Sequence, residues 1–462
     1  ADEREEEDFE YRKRDERIKN LHVAALREIL SNRGVPGIFE LAEQGKAAWQ
    51  IGWLLASDLL PLNDLSDTLL SAFRSTANSE SWPKRNLVSG ALHAISDPDE
   101  RSTVLQKMAE QLTDRETAKL LLLAPFRRST WKMVDMLEEA ERAAYWAEVV
   151  PDWIPDSDAE NSEAVERLLA AQRPRAAFAC VRLQPAQIEA ATLYRLLGEM
   201  AKGGKEEPGQ YQLNQYSIKQ AFDALEISPE ITLEQKAVLE FAYLDALARP
   251  WSSSEEHRIP NLEKYIELHP EMFVQAVVWA YKRKDGAEDP EEYRVASENV
   301  QHFAERGYRL LEAIERIPGQ DEPEEHQTDF LAAWVTTVRD ACTKLGRGDI
   351  ADVCLGKLFS SAPEGKDGIW PSEPVRQVME DIQSERISEG AHTGLYNSRG
   401  VHWRGEGGDQ ERKLAEKYRR WAVGLQYSHP FVSSTLLMGM VTTYEKEANR
   451  EDLEAGIRRR LR

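Results

Sequence analysis

Apolar residues recur along this chain at intervals of three and four. That spacing is typical of amphipathic α-helices, which bury one face. We find no sustained alternation of apolar and polar residues bounded by hairpin turns, so the chain is predicted to be all-α. The clearest windows are Phe303, Gly307, Leu310, Leu311, Ile314 and Ile317; Val375, Val378, Met379 and Ile382; and Leu414, Tyr418, Trp421, Ala422 and Leu425.

Helix starts are marked by residues that satisfy the free amide protons of a first turn. Two segments place an Asp cap before Pro and acidic residues, and two others form capping boxes. These are Asp97-Pro98-Asp99-Glu100 and Asp289-Pro290-Glu291-Glu292, then Thr113 with Glu116 and Thr232 with Gln235. Further starts are predicted at Arg173-Pro174, His269-Pro270, Ser372-Glu373-Pro374 and His429-Pro430.

Helices of about 10 to 20 residues joined by short loops predict antiparallel hairpins that bury their apolar faces against neighbours. We expect an irregular α-solenoid with stacking like that of tetratricopeptide or HEAT repeats, ending in a C-terminal helical bundle. The tetratricopeptide and ankyrin consensus patterns are absent. Glycine-rich and proline-rich stretches suggest three regions: an N-terminal array over 1–202, a middle array over 210–362, and a C-terminal region over 370–462.

Composition narrows the function classes. Of 462 residues, 41% are hydrophobic and 30% charged, enough for a core. The net charge of -22 opposes nucleic-acid binding, although residues 397–462 carry a net +4 and end in Arg458-Arg459-Arg460-Leu461-Arg462. That basic end is expected either to fold against the acidic remainder or to pair with an acidic partner; nucleic-acid binding through it is a third alternative.

Three scattered cysteines do not form a disulfide framework and fit a reducing cytoplasm. No apolar run approaches the roughly 20 residues that cross a bilayer, so no membrane partner is expected. Fifteen of the first nineteen residues are charged, which is unlike a secretion signal. Because the sequence begins at Ala1 within an apparent helix, we expect it to be a piece of a longer polypeptide.

Most of the twelve tryptophans, Trp49, Trp53 and Trp131 among them, are expected in the core.

Patterns that resemble catalytic motifs have simpler structural explanations. Gly346-Arg347-Gly348-Asp349-Ile350-Ala351 has the letters of a dinucleotide fingerprint, but a helix is predicted before it, so Gly346 is interpreted as a helix cap. Ser81 and Lys84 lack the companion motifs of penicillin-binding enzymes, and His269-Pro270-Glu271 lacks the Cys-x-x-Cys of a zinc deaminase.

The cysteines Cys180 and Cys354 lie among apolar neighbours and are expected to be buried thiols, so no catalytic residue, metal or cofactor is predicted.

One glycine-rich segment, 397–409, departs from the helical pattern. Arg399 and Arg404 could grip a phosphate or carboxylate with Trp403 stacking beside them, while Asp409 is predicted to cap the following helix. Alternatively the arginines bridge to acidic residues of neighbouring helices and the segment is a structural lock. The candidate partner or anion contacts are Asn397, Arg399, His402, Trp403 and Arg404.

A resemblance rests on residues in and before this segment. It is carried by Tyr396-Asn397-Ser398-Arg399-Gly400-Val401, Arg404-Gly405, Gln410-Glu411-Arg412, Ala164-Val165-Glu166-Arg167-Leu168-Leu169 and Leu239-Glu240-Phe241-Ala242-Tyr243-Leu244. These stretches resemble the C-terminal region of large bacterial multidomain proteins, similar to the helical sensor or scaffold portions of anti-phage defence proteins. The resemblance implies an effector domain N-terminal to such a region and transfers no catalytic residue.

The sequence therefore favours a protein-binding scaffold or sensor arm of a larger bacterial, antiviral protein over an enzyme. Its expected partner is a protein, such as an N-terminal effector domain or a phage protein. The alternative is a nucleotide- or anion-responsive regulator or enzyme that uses segment 397–409.

Overall fold

A computed structural model describes residues 3–76, 82–155, 157–204, 211, 213–248, 258–398 and 407–461. Within these ranges, the side chains of residues 3–12, 76 and 458–461 are not described. Within these ranges the chain is helical and contains no strand, as the sequence predicts. It divides into two compact units, Ala1–Ser217 and Ile218–Arg462. In the described ranges we find no helix with the length and apolarity needed to traverse a bilayer.

Unit 1 contains eleven described α-helices. They are α1 (Glu3–Gln44), α2 (Ala48–Leu54), α3 (Leu62–Thr76), α4 (Trp82–Ala94), α5 (Pro98–Ala109), α6 (Asp114–Leu121), α7 (Arg128–Val134), α8 (Glu139–Glu148), α9 (Asp158–Ala170), α10 (Pro174–Ala179) and α11 (Ala190–Lys202). Gly34, at a φ of 62°, breaks α1 just before Pro36. A π-helical turn, Leu55–Leu59, continues α2, and Pro185–Gln187 is a 3₁₀ turn.

Twelve α-helices are described from α12 onward, nearly all of them within unit 2. They are α12 (Gln215–Glu226), α13 (Leu233–Ala242), α14 (Leu244–Leu247), α15 (Pro260–Leu268), α16 (Pro270–Ala280), α17 (Val300–Ala313), α18 (Glu324–Lys344), α19 (Gly348–Phe359), α20 (Glu373–Ile382), α21 (Glu385–Ser398), α22 (Asp409–Leu425) and α23 (Met438–Leu461). Glu291–Tyr293 and Ser297–Asn299 are 3₁₀ turns, and Val432–Leu437 is a π-helical turn before α23.

Most predicted helix starts are confirmed. The Asp97 carboxylate accepts hydrogen bonds from the backbone N–H groups of Asp99 and Glu100, 2.7 and 3.1 Å away. Both capping boxes, at Thr113 and Thr232, have their two reciprocal bonds. Gly346, with a φ of 66°, follows the last residues of α18, so its assignment as a helix cap is also confirmed.

The predicted start at Asp289-Pro290 is wrong. Only a single 3₁₀ turn, Glu291–Tyr293, follows there, and Asp289 caps nothing. Its carboxylate instead accepts two hydrogen bonds from the buried guanidinium of Arg347, at 2.7 and 2.8 Å. A buried charge needs an opposite partner more strongly than a helix start needs a cap, so the ion pair prevails.

The predicted window from Phe303 to Ile317 is also longer than the helix it describes. Helix α17 ends at Ala313, so Ile314 and Ile317 are buried beyond its end and not on its face.

Glycines allow two pairs of helices to pack with their backbones in contact. A Cβ on Gly52 of α2 would lie 1.9 Å from the Leu87 carbonyl oxygen of α4, and one on Gly90 would lie 2.0 Å from that of Trp49. Helices α19 and α21 meet the same way, since Cβ atoms on Gly356 and Gly390 would fall 2.0 and 2.1 Å from facing carbonyl oxygens. Backbones can approach this closely only where no side chain intervenes.

Candidate functional site

The predicted contact residues fall mostly outside the described part of the chain. Arg399, His402, Trp403 and Arg404 lie in the undescribed range 399–406, so their assignment stays a prediction. Asn397 is described: it is exposed near the end of α21.

The two ends of the glycine-rich segment are held by residues of unit 2 that the sequence did not indicate. Gly408 donates its backbone N–H to the Asp452 carboxylate of α23 at 2.9 Å, and Arg412 donates two bonds to the same carboxylate at 2.8 and 2.6 Å. On the other side Tyr396 hydrogen-bonds to Glu447. These partners are forty or more residues away in the chain, so no local spacing could reveal them.

The predicted cap at Asp409 is wrong by one position. Gly408 occupies the cap, Asp409 is the first helical residue, and the free backbone N–H of Gly408 is satisfied by Asp452 from another helix. A glycine tolerates the cap because the acceptor comes from a different helix.

The core prediction for the tryptophans is correct for Trp131 and wrong for Trp49 and Trp53, and Trp82, at 67%, is exposed as well. Trp131 is fully buried, and its ring lies 4.9 Å from that of Phe126. Trp49 and Trp53, expected in the core, retain 42% and 37% of their surface exposed. Their ring centroids lie 5.2 Å apart with the ring planes tilted by 30°, so the two rings are in contact one helical turn apart.

The exposure of this pair follows from how α2 packs. Its buried face is made by small and aliphatic residues, among them Gly52, which let its backbone touch α4. With that face occupied, Trp49 and Trp53 project on the other side. We call Trp49 and Trp53 the α2 tryptophan pair. His93 of α4 borders it, with its ring 6.4 Å from that of Trp49.

The thiols are held away from solvent. Cys180, Cys342 and Cys354 are free and buried, as predicted for Cys180 and Cys354. Burial raises the pKa of Cys180 and of Cys342 to about 12 and that of Cys354 to about 11. A thiol in this state carries almost no thiolate at neutral pH and is a poor nucleophile.

The buried arginines Arg347 and Arg376 of unit 2 form hydrogen bonds within the fold. Besides the bonds to Asp289, Arg347 donates to three backbone carbonyls. Arg376 pairs with Asp367 at 2.7 and 3.0 Å and donates to two further carbonyls, and its guanidinium lowers the pKa of Asp367 to about 2. Every nitrogen of these two guanidinium groups has a hydrogen-bond partner, so we interpret both arginines as structural and not as ligand sites. Across the described residues no cluster of His, Cys, Asp and Glu has the arrangement of a metal site.

Comparison of the chain with protein-family models, with curated proteins and with solved structures gives no match.

Proposed function

We propose that this protein is a helical scaffold that binds a protein partner through the α2 tryptophan pair. The observation that carries the proposal is the exposure of two adjacent tryptophans on a helix whose buried face is fixed against α4. Tryptophan is enriched among the residues that dominate protein–protein binding, because it buries a large area at little cost in conformational entropy.

The rigidity of the surface supports the same proposal. The close backbone contact through Gly52 and Gly90 leaves α2 little freedom to turn, so the two rings are presented in one arrangement. Rings that are already ordered lose less entropy when a partner covers them.

The stacking of helices as an irregular solenoid is part of the proposal. It is supported by contacts between helices that are near neighbours in sequence: α2 with α4 and α3 with α5 in unit 1, and α16 with α18 and α19 with α21 in unit 2.

In such a stack, a disruptive substitution loosens mainly the adjoining helices. Hydrogen exchange in the Gly356→Ala variant should therefore accelerate in α19, α21 and the helices beside them. Uniform acceleration throughout unit 2 would contradict stacking.

The narrower role, a sensor or scaffold arm of a larger bacterial anti-phage protein, rests on the sequence resemblance alone. It predicts a partner that is an effector domain of the same polypeptide or a phage protein.

The test replaces Trp53 with a photo-crosslinking amino acid and compares bacterial cells with and without phage infection. The proposal predicts a discrete crosslinked protein from position 53 and none from the exposed position 427 of unit 2. An identical crosslinking pattern from the two positions would contradict protein binding by the pair. A partner captured equally with and without infection would contradict only the defence role.

A further inference from the structure

A second surface feature of unit 1 has a different chemistry. A pocket of about 360 Å³ lies along α1. A larger one, of about 780 Å³, is lined by residues of α4, α5, α7 and α9 and of nearby connecting segments. That is the size of cavities that hold small molecules. Its apolar wall includes Phe126, Val149 and Trp153, and its cationic groups are Arg101 and Arg127.

Arg101 is unusual among the buried arginines of the described chain. Its residue is 6% exposed, yet its guanidinium makes only one short hydrogen bond, from Nη1 to the Ile95 carbonyl at 2.6 Å. The contact from Nη2 to Ser129 Oγ is long, at 3.5 Å, and the buried Nε has no partner. A guanidinium has five N–H donors, so most of its donors are unused.

Other buried arginines of the described chain have more hydrogen-bond partners than Arg101. Arg347 and Arg376 each have a carboxylate partner and several carbonyls, and Arg173 donates to two carbonyls and to the Tyr211 hydroxyl. No carboxylate of the described residues forms an ion pair with Arg101. An unpaired buried charge is costly, and the desolvation lowers the pKa of Arg101.

A second arginine, Arg127, adds another positive charge to the pocket that Arg101 lines. Arg127, immediately before α7, lines the same pocket, and its charge also contributes to lowering the pKa of Arg101. Two like charges facing one pocket raise each other's energy, and an anion placed between them removes that cost.

Acidic groups also line the pocket, but each accepts a hydrogen bond from a backbone N–H group. The Glu160 carboxylate accepts the backbone N–H of Arg128 at 3.2 Å, and exposed Asp152 accepts the N–H of Trp153 at 2.8 Å. Neither carboxylate accepts a hydrogen bond from Arg101, so this pocket-lining guanidinium keeps donors without an acidic partner.

The part of the pocket lining formed by segment 149–154 is fixed in place. Asn161, fully buried, donates to the Ile154 carbonyl at 2.8 Å and accepts its N–H at 3.0 Å. Arg173 donates to the carbonyls of Trp146 and Val149, both at 2.8 Å. These bonds hold segment 149–154, which contributes to the pocket lining, and a preorganised lining favours binding.

We propose that this pocket binds a small organic molecule through an oxyanion, a phosphate or a carboxylate, held by Arg101 and Arg127. The oxyanion supplies acceptors for the unused donors of Arg101, and the apolar wall with Phe126 and Trp153 covers the rest of the molecule. This ligand site is separate from the protein-binding proposal, and either can fail without the other.

The experiment titrates inorganic phosphate, and in a second arm acetate, into the full chain by calorimetry at constant ionic strength. The expected result is saturable binding in at least one arm that falls about tenfold or more in Arg127→Gln, since a charge-assisted bond is lost. Arg115→Gln, which removes an exposed arginine outside the pocket, should bind as the wild type does.

The two arms separate the phosphate from the carboxylate. Arg101→Lys keeps the charge but loses the fork of donors and should also weaken binding. Because Arg101 is buried and its variant could unfold, the Arg127→Gln variant is the decisive test of anion binding in the pocket. Absence of binding in both arms, or equal binding by Arg127→Gln and the wild type, would overturn the proposal.

Discussion

The guanidinium of Arg347 and the carboxylate of Asp289 form two parallel hydrogen bonds, at 2.7 and 2.8 Å, with the arginine side chain 2% exposed. This ion pair ties the segment after α16 to the start of α19. It also explains why Asp289-Pro290 starts no α-helix, because the carboxylate that would cap the helix is already committed.

Loss of this pair should destabilise unit 2. Asp289→Asn removes the charge that compensates the buried Arg347, and breaking a buried pair from one side costs about 3 kcal/mol or more. Chemical denaturation followed by circular dichroism measures the loss. The control is Asp349→Asn, whose partner Lys284 is 69% exposed and which should destabilise the chain far less because solvent screens an exposed pair. Equal losses in the two variants would show that the Arg347 pair is not a lock.

Two glycine-to-alanine substitutions should have opposite effects. Gly52→Ala forces a Cβ to within 1.9 Å of the Leu87 carbonyl oxygen, so α2 and α4 must separate, at a cost of about 1 to 3 kcal/mol. Gly198→Ala, in α11, meets no atom within 4 Å and should stabilise by about 0.5 to 1 kcal/mol through helix propensity. Thermal unfolding of both variants checks this. Stabilisation by Gly52→Ala would mean that the backbones do not touch.

The buried thiols predict instability at alkaline pH. The folded chain holds their protons up to a pKa of about 11 or 12, whereas an unfolded thiol loses its proton near pH 8.5. Between those values the unfolded state binds fewer protons, so stability is complete below about pH 8.5 and falls as pH rises, by about 1.4 kcal/mol per pH unit for each thiol.

Denaturation at a series of pH values measures that slope. Cys180→Ala should reduce it by one thiol's share whatever its effect at neutral pH. A slope unchanged in Cys180→Ala would show that this thiol does not keep its proton in the folded state. Independently, all three thiols should react with a disulfide reagent slowly in the native chain and rapidly in denaturant.

Local signals in the sequence predicted local structure. The all-helical class follows from periodicity, and the caps at Asp97, Thr113 and Thr232 follow from residues within three positions of each other. The thiols of Cys180 and Cys354 were recognisable from their apolar neighbours.

The features that the sequence did not predict depend on contacts between residues that are far apart in the chain. Trp49 and Trp53 have the spacing of core residues, and only the close approach of α2 to α4 at Gly52 shows that they project outward. Asp452 anchors Gly408 from another helix. Arg101 looks like any helical arginine until its burial and its missing carboxylate are known.

The tryptophan pair should matter for binding more than for folding. Removing both rings, Trp49→Ala with Trp53→Ala, should leave the chain folded because both are partly exposed, whereas Trp131→Ala should cost about 3 to 5 kcal/mol as a fully buried residue. Chemical denaturation of the two variants measures the difference. Comparable losses would place the pair in the structural core after all.

The affinity of the crosslinked partner for purified wild-type and variant chains tests the central claim most directly. If the α2 tryptophan pair anchors the interface, the Trp49→Ala, Trp53→Ala double variant should lose about 30-fold or more in affinity, as expected when residues of this kind are truncated. Tyr427→Ala, which removes an aromatic side chain that is 92% exposed, should bind as tightly as the wild type. An unchanged affinity in a folded double variant would contradict the proposed function.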